Sequence, residues 1–407
     1  MSGFALSIGL LAIASLAAIP VMVAAEGDRG WGAIALGQAV GAIAAAAIGF
    51  GWGVSGPARI AVSDGPLRRT AYVESVRARL ALFAPIAALS GLAAALLAPQ
   101  SPALAVLGAV AAAAAGVSAN WYFVGVGAPY ALLLAETLPR VIGTAVGIAL
   151  MLGGAGGAAG LGGMLGGMVA AFVCSTTWIL LRTRRDRALA PRPARLARVL
   201  SDQRHGMGSA LGSAAYIALP LVVVTVFAPA AQPVFALVDK FQRQISVALQ
   251  PVITVAQGWV PRRDAAQSAS RARSALLVGG GTALVIGVAV VLAGDPALRW
   301  LGSGEIAVAP LAVVLMSLFV AINFFESLVA KALLPSLGRL RIGSHATIVS
   351  TLVALPLVAV GAVFWGAVGA LAAVVVGLLT RCAVEVVAAS RTIRSSDTVI
   401  VREEIDA

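Results

Sequence analysis

The sequence predicts an all-α polytopic membrane protein of about twelve transmembrane helices in two six-helix lobes. Three observations predict it. The 407-residue chain is 60% hydrophobic and only 11% charged, whereas a soluble domain carries roughly 25% charge. Its mean hydropathy is +0.97. Its arginines fall in every second gap between apolar stretches, and one long basic gap divides those stretches evenly.

A spanning helix needs about 20 predominantly apolar residues. Spans on that rule fall near 4–25, 32–53, 80–98, 103–126, 134–153, 162–182, 207–228, 233–259, 275–294, 306–331, 343–363 and 366–388. The first lacks a basic leader, although Val23-Ala24-Ala25 mimics a cleavage site. Its length makes it a retained helix. The fifth and sixth are the least sharply bounded, because glycines from Gly153 to Gly163 blur the turn between them.

The charges test this count independently. Gaps after even-numbered spans, with the start of span five, hold 23 of the 29 basic residues. They include Arg59, Arg68, Arg69, Arg77, Arg79, Arg140, the run from Arg182 to Arg204, Arg262, Arg263, Arg271, Arg273, Arg339 and Arg391. Gaps after odd-numbered spans hold only Arg29 and Arg299, while Lys240, Arg243, Lys331 and Arg381 lie within spans. Cytoplasmic loops collect Lys and Arg, so both termini are expected in the cytoplasm. The net charge of +12 is a topology signal, and no nucleic-acid partner is expected. Arginine in place of lysine, with abundant Ala and Gly, looks like a GC-rich bacterial genome; the expected location of the multi-pass chain is the cell inner membrane.

The expected organisation is a six-helix lobe over 1–182, a basic cytoplasmic linker over 183–206, a second six-helix lobe over 207–390 and a tail over 391–407. Six spans per half give both halves one orientation, with a pseudo-twofold axis along the membrane normal. Weak internal similarity agrees. Gly51-Trp52 ahead of Pro57 and Arg59 matches Gly258-Trp259 ahead of Pro261 and Arg262, and Asn120-Trp121-Tyr122-Phe123 is echoed by Asn323-Phe324-Phe325.

Two isolated cysteines and two isolated histidines offer no disulfide framework or metal site. The sequence has no phosphate-binding Gly-x-x-x-x-Gly-Lys-Ser/Thr loop and no Asp-rich metal motif. External loops are short. The chain is therefore expected not to be an enzyme and to need no cofactor, with function inside the bundle.

Span eight carries the sharpest polar signal. Asp239, Arg243, Ser246, Gln250, Thr254 and Gln257 recur at gaps of 4, 3, 4, 4 and 3, which keep one helical face. Asp239, Lys240 and Arg243 together would cost about 7–10 kcal/mol facing lipid, so the stripe must face protein or a wetted cavity. Asp239 and Arg243 at i, i+4 also suit a buried ion pair. Glu136 and Arg140 share that spacing and suit either a local pair or the cavity. Asn323, Glu326 and Lys331 lie in the inner part of span ten, where Lys331 can snorkel. Arg381 and Glu385 read as an interfacial pair. A cavity with excess positive charge suits an anionic substrate such as a pyrophosphate-linked lipid.

The residues Gly37-Gln38 and Gly49 to Ala61, Asn120 to Gly125 with Glu136 to Arg140, and Phe235 to Lys240 with Leu249-Gln250-Pro251 and Val260-Pro261-Arg262 resemble the second, fourth-to-fifth and eighth helices of Wzx-type polysaccharide flippases. The resemblance covers nearly the whole chain. It implies a MATE-like, V-shaped, two-lobed transporter of the multidrug/oligosaccharidyl-lipid/polysaccharide exporter group. It implies flipping of an undecaprenyl-pyrophosphate-linked oligosaccharide by alternating access, with membrane lipids and polysaccharide-assembly proteins as partners. Arg59, Arg140, Lys240 and Arg243 match the basic cavity residues of such flippases. Gln250, Asn120 and Asn323 join them as substrate-binding candidates. Asp239, Glu136 and Glu326 are candidates for Na+ or H+ coupling, and the sequence does not choose among them. The Gly-rich join between spans five and six departs from the family and leaves the packing there open. A drug/cation antiporter of the same fold and a membrane-embedded polymerase or ligase are the competing readings. The basic stripe disfavours the first and the short external loops the second.

Overall fold

The computed structural model describes residues 2–260, 265–337 and 340–405; Pro261, Arg262, Arg263 and Arg339 lie outside them. The described chain is helical throughout apart from short turns. It divides by contacts into two compact units.

The first unit comprises Met1–Val226 and Leu301–Ile306. Helix α1 (Ser2–Gly49) is two helices joined at Gly27, whose φ of 68° leaves the helical region. That break falls in the expected gap between spans one and two. Phe50 and Gly51, at φ of 44° and 80°, turn the chain into α2 (Trp52–Val62). A side chain at Gly51 would also strike Gly206 and Met207 backbone.

Helix α3 (Gly65–Leu97) begins well before the expected start of span three. Asp64 caps it by accepting the Leu67 N–H at 3.0 Å, with Pro66 in the first turn. Arg68, Arg69, Arg77 and Arg79 therefore sit on a helix, not in a loop. Span four is not one helix. It runs as α4 (Pro102–Ala113), a 3-10 turn (Ala114–Val117), a break at Ser118-Ala119, and α5 (Asn120–Val126). Span five follows as α6 (Pro129–Leu132), a π turn (Leu133–Thr137) and α7 (Leu138–Leu152).

A turn containing Gly154 at φ 87° leads into α8 (Gly156–Arg182), which settles the Gly-rich join. Its glycines are a packing seam. A Cβ on Gly163 would lie 2.6 Å from Gly147 N and 2.7 Å from Gly143 O, and one on Gly167 2.9 Å from Pro139 O. Only bare backbone lets α7 and α8 approach so closely. Glu26, at the α1 break, accepts the Gly157 N–H at the start of α8, where a carboxylate also complements the helix dipole.

The basic stretch after α8 is tied to the early turns of α3. Arg69 donates to Leu180 O at 3.1 Å, Thr70 Oγ1 to Pro191 O at 3.0 Å, and Glu74 accepts the Ala194 N–H at 2.8 Å. Helix α9 (Leu196–Phe227) follows.

The second unit comprises Phe227–Trp300 and Ala307–Ala407. Span eight is α10 (Gln232–Ala248) and α11 (Gln250–Trp259), articulated at Leu249 with Pro251 in the first turn of α11. Then come α12 (Ala265–Leu301) and α13 (Pro310–Leu328). A π turn (Val329–Leu333) and α14 (Leu334–Ser336) finish span ten. Helix α15 (Leu340–Ile405) is two helices broken at Gly366, φ 59°.

Nine helical runs among the described residues are long and apolar enough to cross a membrane. Breaking Gly3–Val62 at Gly27 and His345–Thr392 at Gly366 yields eleven. The α10–α11 rod, more charged than the others, brings the number to the expected twelve.

Candidate functional site

In the second unit the stripe on α10 and α11 is met by α13. Asp239 and Arg243 form an ion pair at 2.5 Å, with side chains 13% and 34% exposed. Gln242, itself buried, donates to Asp239 at 3.2 Å. The ion pair suggested by their spacing is therefore present. Ser246, Gln250 and Gln257 of the stripe reach across to span ten, whereas the Thr254 hydroxyl donates to the Gln250 carbonyl of its own helix. Asn323 Nδ2 donates to Ser246 Oγ at 3.1 Å, and Lys331 Nζ to Gln250 Oε1 at 3.2 Å. Gln257 donates to the Lys331 carbonyl at 3.3 Å. Lys331 sits in the π turn, where the widened helix displaces its carbonyl from the regular ladder. Ser246 with Asn323 and Gln250 with Lys331, all read as polar at membrane depth, thus form two separate pairs between spans eight and ten.

Glu326 lies elsewhere. It is buried, and Arg381 Nη2 reaches it at 2.6 Å while Arg381 Nε reaches Glu385 at 3.2 Å. Arg381 therefore bridges two carboxylates, and its expected pairing with Glu385 alone is incomplete. Glu385 is 0% exposed, so the cluster is buried within the second unit. Burying two carboxylates around one guanidinium is costly, so the three residues are energetically one unit.

In the first unit Glu136 is buried and its oxygens accept from the Ser118 hydroxyl at 2.7 Å and the Ala119 N–H at 2.6 Å. It closes the break in span four. Arg140 shares a void too small for water with Glu136, but among the described residues the two make no ion pair. The local pair is therefore replaced by a cap on a broken helix. Arg59 pairs with Glu74 at 3.5 Å and lies over the Trp52 ring at 5.5 Å; it is 46% exposed. In the second unit Arg271 lies 5.2 Å from the Trp259 ring; Arg262, which the sequence matches to Arg59, lies outside the described residues.

Trp52, Tyr72, Trp121, Tyr122 and Phe123 build an aromatic core, with Trp52 and Trp121 centroids 5.0 Å apart. Arg79 inserts here from α3. It is 1% exposed, lies 5.8 Å from the Trp121 ring, and donates to Ser118 O at 2.5 Å and Ser75 O at 3.3 Å. Beside this core lies a cavity of about 360 Å³ lined by Trp52, Arg79, Ser118, Asn120 and Trp121 with Gly49, Gly51 and Gly116. Asn120 is exposed on its rim. Charge counting assigned Arg79 to a loop and missed it. The signal was Tyr72, Ser75 and Arg79 at gaps of 3 and 4, the mark of one polar helical face.

No protein-family model matches the chain, and no curated protein matches it. Solved structures do. An inward-facing multidrug resistance MATE family transporter of the MOP superfamily covers 95% of this chain and 95% of its own, with TM-score 0.69 and 16% identity. An outward-facing multidrug resistance MATE family transporter aligns at TM-score 0.48 and 17% identity over 97% and 94% of the chains. A eukaryotic MATE transporter aligns at 0.47 and 15% over 96% and 97%. The weight rests on the first. At that identity the likeness establishes architecture: the chain is an all-helical, multi-pass membrane protein with the fold of a MATE family transporter.

Proposed function

We propose that the chain is an alternating-access transporter that carries an undecaprenyl-pyrophosphate-linked oligosaccharide from the inner to the outer leaflet of the bacterial inner membrane. The observation that carries this reading is the basic excess within its apolar helices. Arg79, Arg140, Lys240, Arg243, Lys331 and Arg381 outnumber Glu136, Asp239, Glu326 and Glu385 within these helices. Charges inside spans are costly and mark pathways, and guanidinium groups suit phosphate oxygens. The fold supports the transport step, since the solved transporter at TM-score 0.69 is an inward-facing one. The arginine asymmetry of the gaps supports a cytoplasmic location for both termini.

A drug/cation antiporter is the second reading. Glu326 and Glu385 around the single Arg381 favour it, because two buried carboxylates suit a coupling cation or proton. Lipid extraction from a deletion strain separates the two. Accumulation of a lipid-pyrophosphate oligosaccharide in the inner leaflet, reversed by the gene, supports the flippase. No accumulation with new sensitivity to cationic dyes supports the antiporter.

A further inference from the structure

Helix α8 ends at Arg182, and Gly156–Arg182 is long and apolar enough to cross a membrane. Its last turn therefore meets the bilayer surface. There Trp178, Leu181, Arg182, Arg184 and Arg185 line a cavity of about 590 Å³. The three arginines are exposed. Trp178 is half-buried and packs on Phe123 with ring centroids 5.3 Å apart. Leu181 and Leu189, 60% and 77% exposed, flank the arginines and suit a lipid surface better than water.

The ordinary uses of arginine at a helix end are already filled. Basic side chains there cap the last carbonyls and complement the helix dipole. Arg69 does this for α8, donating to Leu180 O at 3.1 Å, Thr183 O at 3.3 Å and Thr183 Oγ1 at 3.1 Å. Carboxylates do not neutralise the cluster either. Asp186 and Asp202 are the only acidic residues between Arg182 and Arg204. Asp186 turns onto Gly65 at the start of α3, where an added Cβ would lie 2.6 Å from its Oδ2. Among the described residues Arg182, Arg184 and Arg185 form no ion pair and no side-chain hydrogen bond. The segment is also held in place. A 3-10 turn spans Arg185–Ala188, and Pro191 and Ala194 beyond it are hydrogen-bonded to Thr70 and Glu74 of α3.

We propose that Arg182, Arg184 and Arg185 with Trp178 form a headgroup site for an anionic phospholipid of the leaflet that this end of α8 meets. Guanidinium groups take the phosphate oxygens, the indole sits at headgroup level as interfacial tryptophans do, and Leu181 lies along the acyl chains. A basic cluster beside a span is the known means of holding such a lipid. The site does not depend on what the transporter carries.

The test is quenching of Trp178 in the full chain in nanodiscs by brominated lipids at constant ionic strength. The Trp178 signal is the difference between wild type and Trp178→Phe. Brominated phosphatidylglycerol should quench it at lower mole fraction than brominated phosphatidylcholine. Arg184→Gln should weaken that preference roughly fivefold, the scale of one basic residue near an anionic surface. The triple variant Arg182→Gln, Arg184→Gln, Arg185→Gln should abolish it. The triple variant Arg192→Gln, Arg195→Gln, Arg198→Gln removes the same charge from the same linker and should keep it. If the first triple variant is not recovered, Arg184→Gln decides. Equal quenching by the two lipids, or equal loss in both triple variants, overturns the proposal. Inorganic pyrophosphate at the concentration of the lipid should leave the preference in place; its abolition would assign the site to a phosphate that is not a bilayer lipid and overturn it as well.

Discussion

Glu136 and Ser118 lie on different spans, and their 2.7 Å hydrogen bond closes the one break in span four. The same carboxylate takes the Ala119 N–H at 2.6 Å. Span four stops being helical at the point where its backbone would otherwise leave a donor unanswered inside the bundle. Each bond to a buried charged acceptor is worth roughly 1.5–3 kcal/mol. Glu136→Ala is therefore expected to cost about 3 kcal/mol or more, read as a lower melting temperature in detergent. Glu136→Gln keeps one acceptor and should cost less. Equal melting of wild type and Glu136→Ala would remove the capping role.

The α7–α8 seam separates two classes of glycine. A methyl at Gly163 meets Gly147 and Gly143 backbone, whereas one at Gly162 or Gly166 meets nothing within 4 Å. Gly163→Ala should destabilise by about 1–3 kcal/mol through overpacking. Gly162→Ala and Gly166→Ala should be neutral or stabilising by up to about 1 kcal/mol, because alanine is the better helix former. Thermal unfolding of the three variants side by side checks the contrast.

Asp239 and Arg243 provide a double-mutant cycle. Each single alanine variant leaves one partner of the pair without the other beside Lys240, and the double variant leaves Lys240 as the remaining charge on α10. The pair should show coupling of about 1–3 kcal/mol. Membrane levels of the double variant should exceed those of Asp239→Ala. Additive effects would show that the two charges act independently.

The Glu326–Arg381–Glu385 cluster should behave as a unit. Arg381→Met strands two carboxylates that are 3% and 0% exposed and is expected to cost about 3–5 kcal/mol. The triple replacement by Leu, Met and Leu should recover most of that loss. A triple variant no better than Arg381→Met would contradict the electrostatic explanation.

The span count was legible because lipid leaves few alternatives: apolar length and arginine placement each fix it. The break at Gly27 was also visible, since Glu26, Asp28 and Arg29 interrupt the first apolar run. Arg79 was hidden by the same charge rule that worked elsewhere. The rule treats any arginine ahead of an apolar run as loop, and it overlooked Asp64-Gly65-Pro66 as a helix start. The polarity of Ser246 and Asn323 was legible from each span alone. Their hydrogen bond was not, because it depends on how α10 and α13 rotate against each other. The partners of Glu136 were hidden for a related reason: Arg140 is its neighbour in sequence, but its hydrogen-bond donors come from another span.

The most direct test of the flippase reading is transport in proteoliposomes. A fluorescent undecaprenyl-pyrophosphate-linked glycan is placed in one leaflet, and its crossing is followed with a membrane-impermeant quencher. The reading predicts protein-dependent crossing that is slower with Arg243→Ala at normal protein levels. Absence of crossing, with uptake of a cationic dye driven by a sodium or proton gradient, would contradict it.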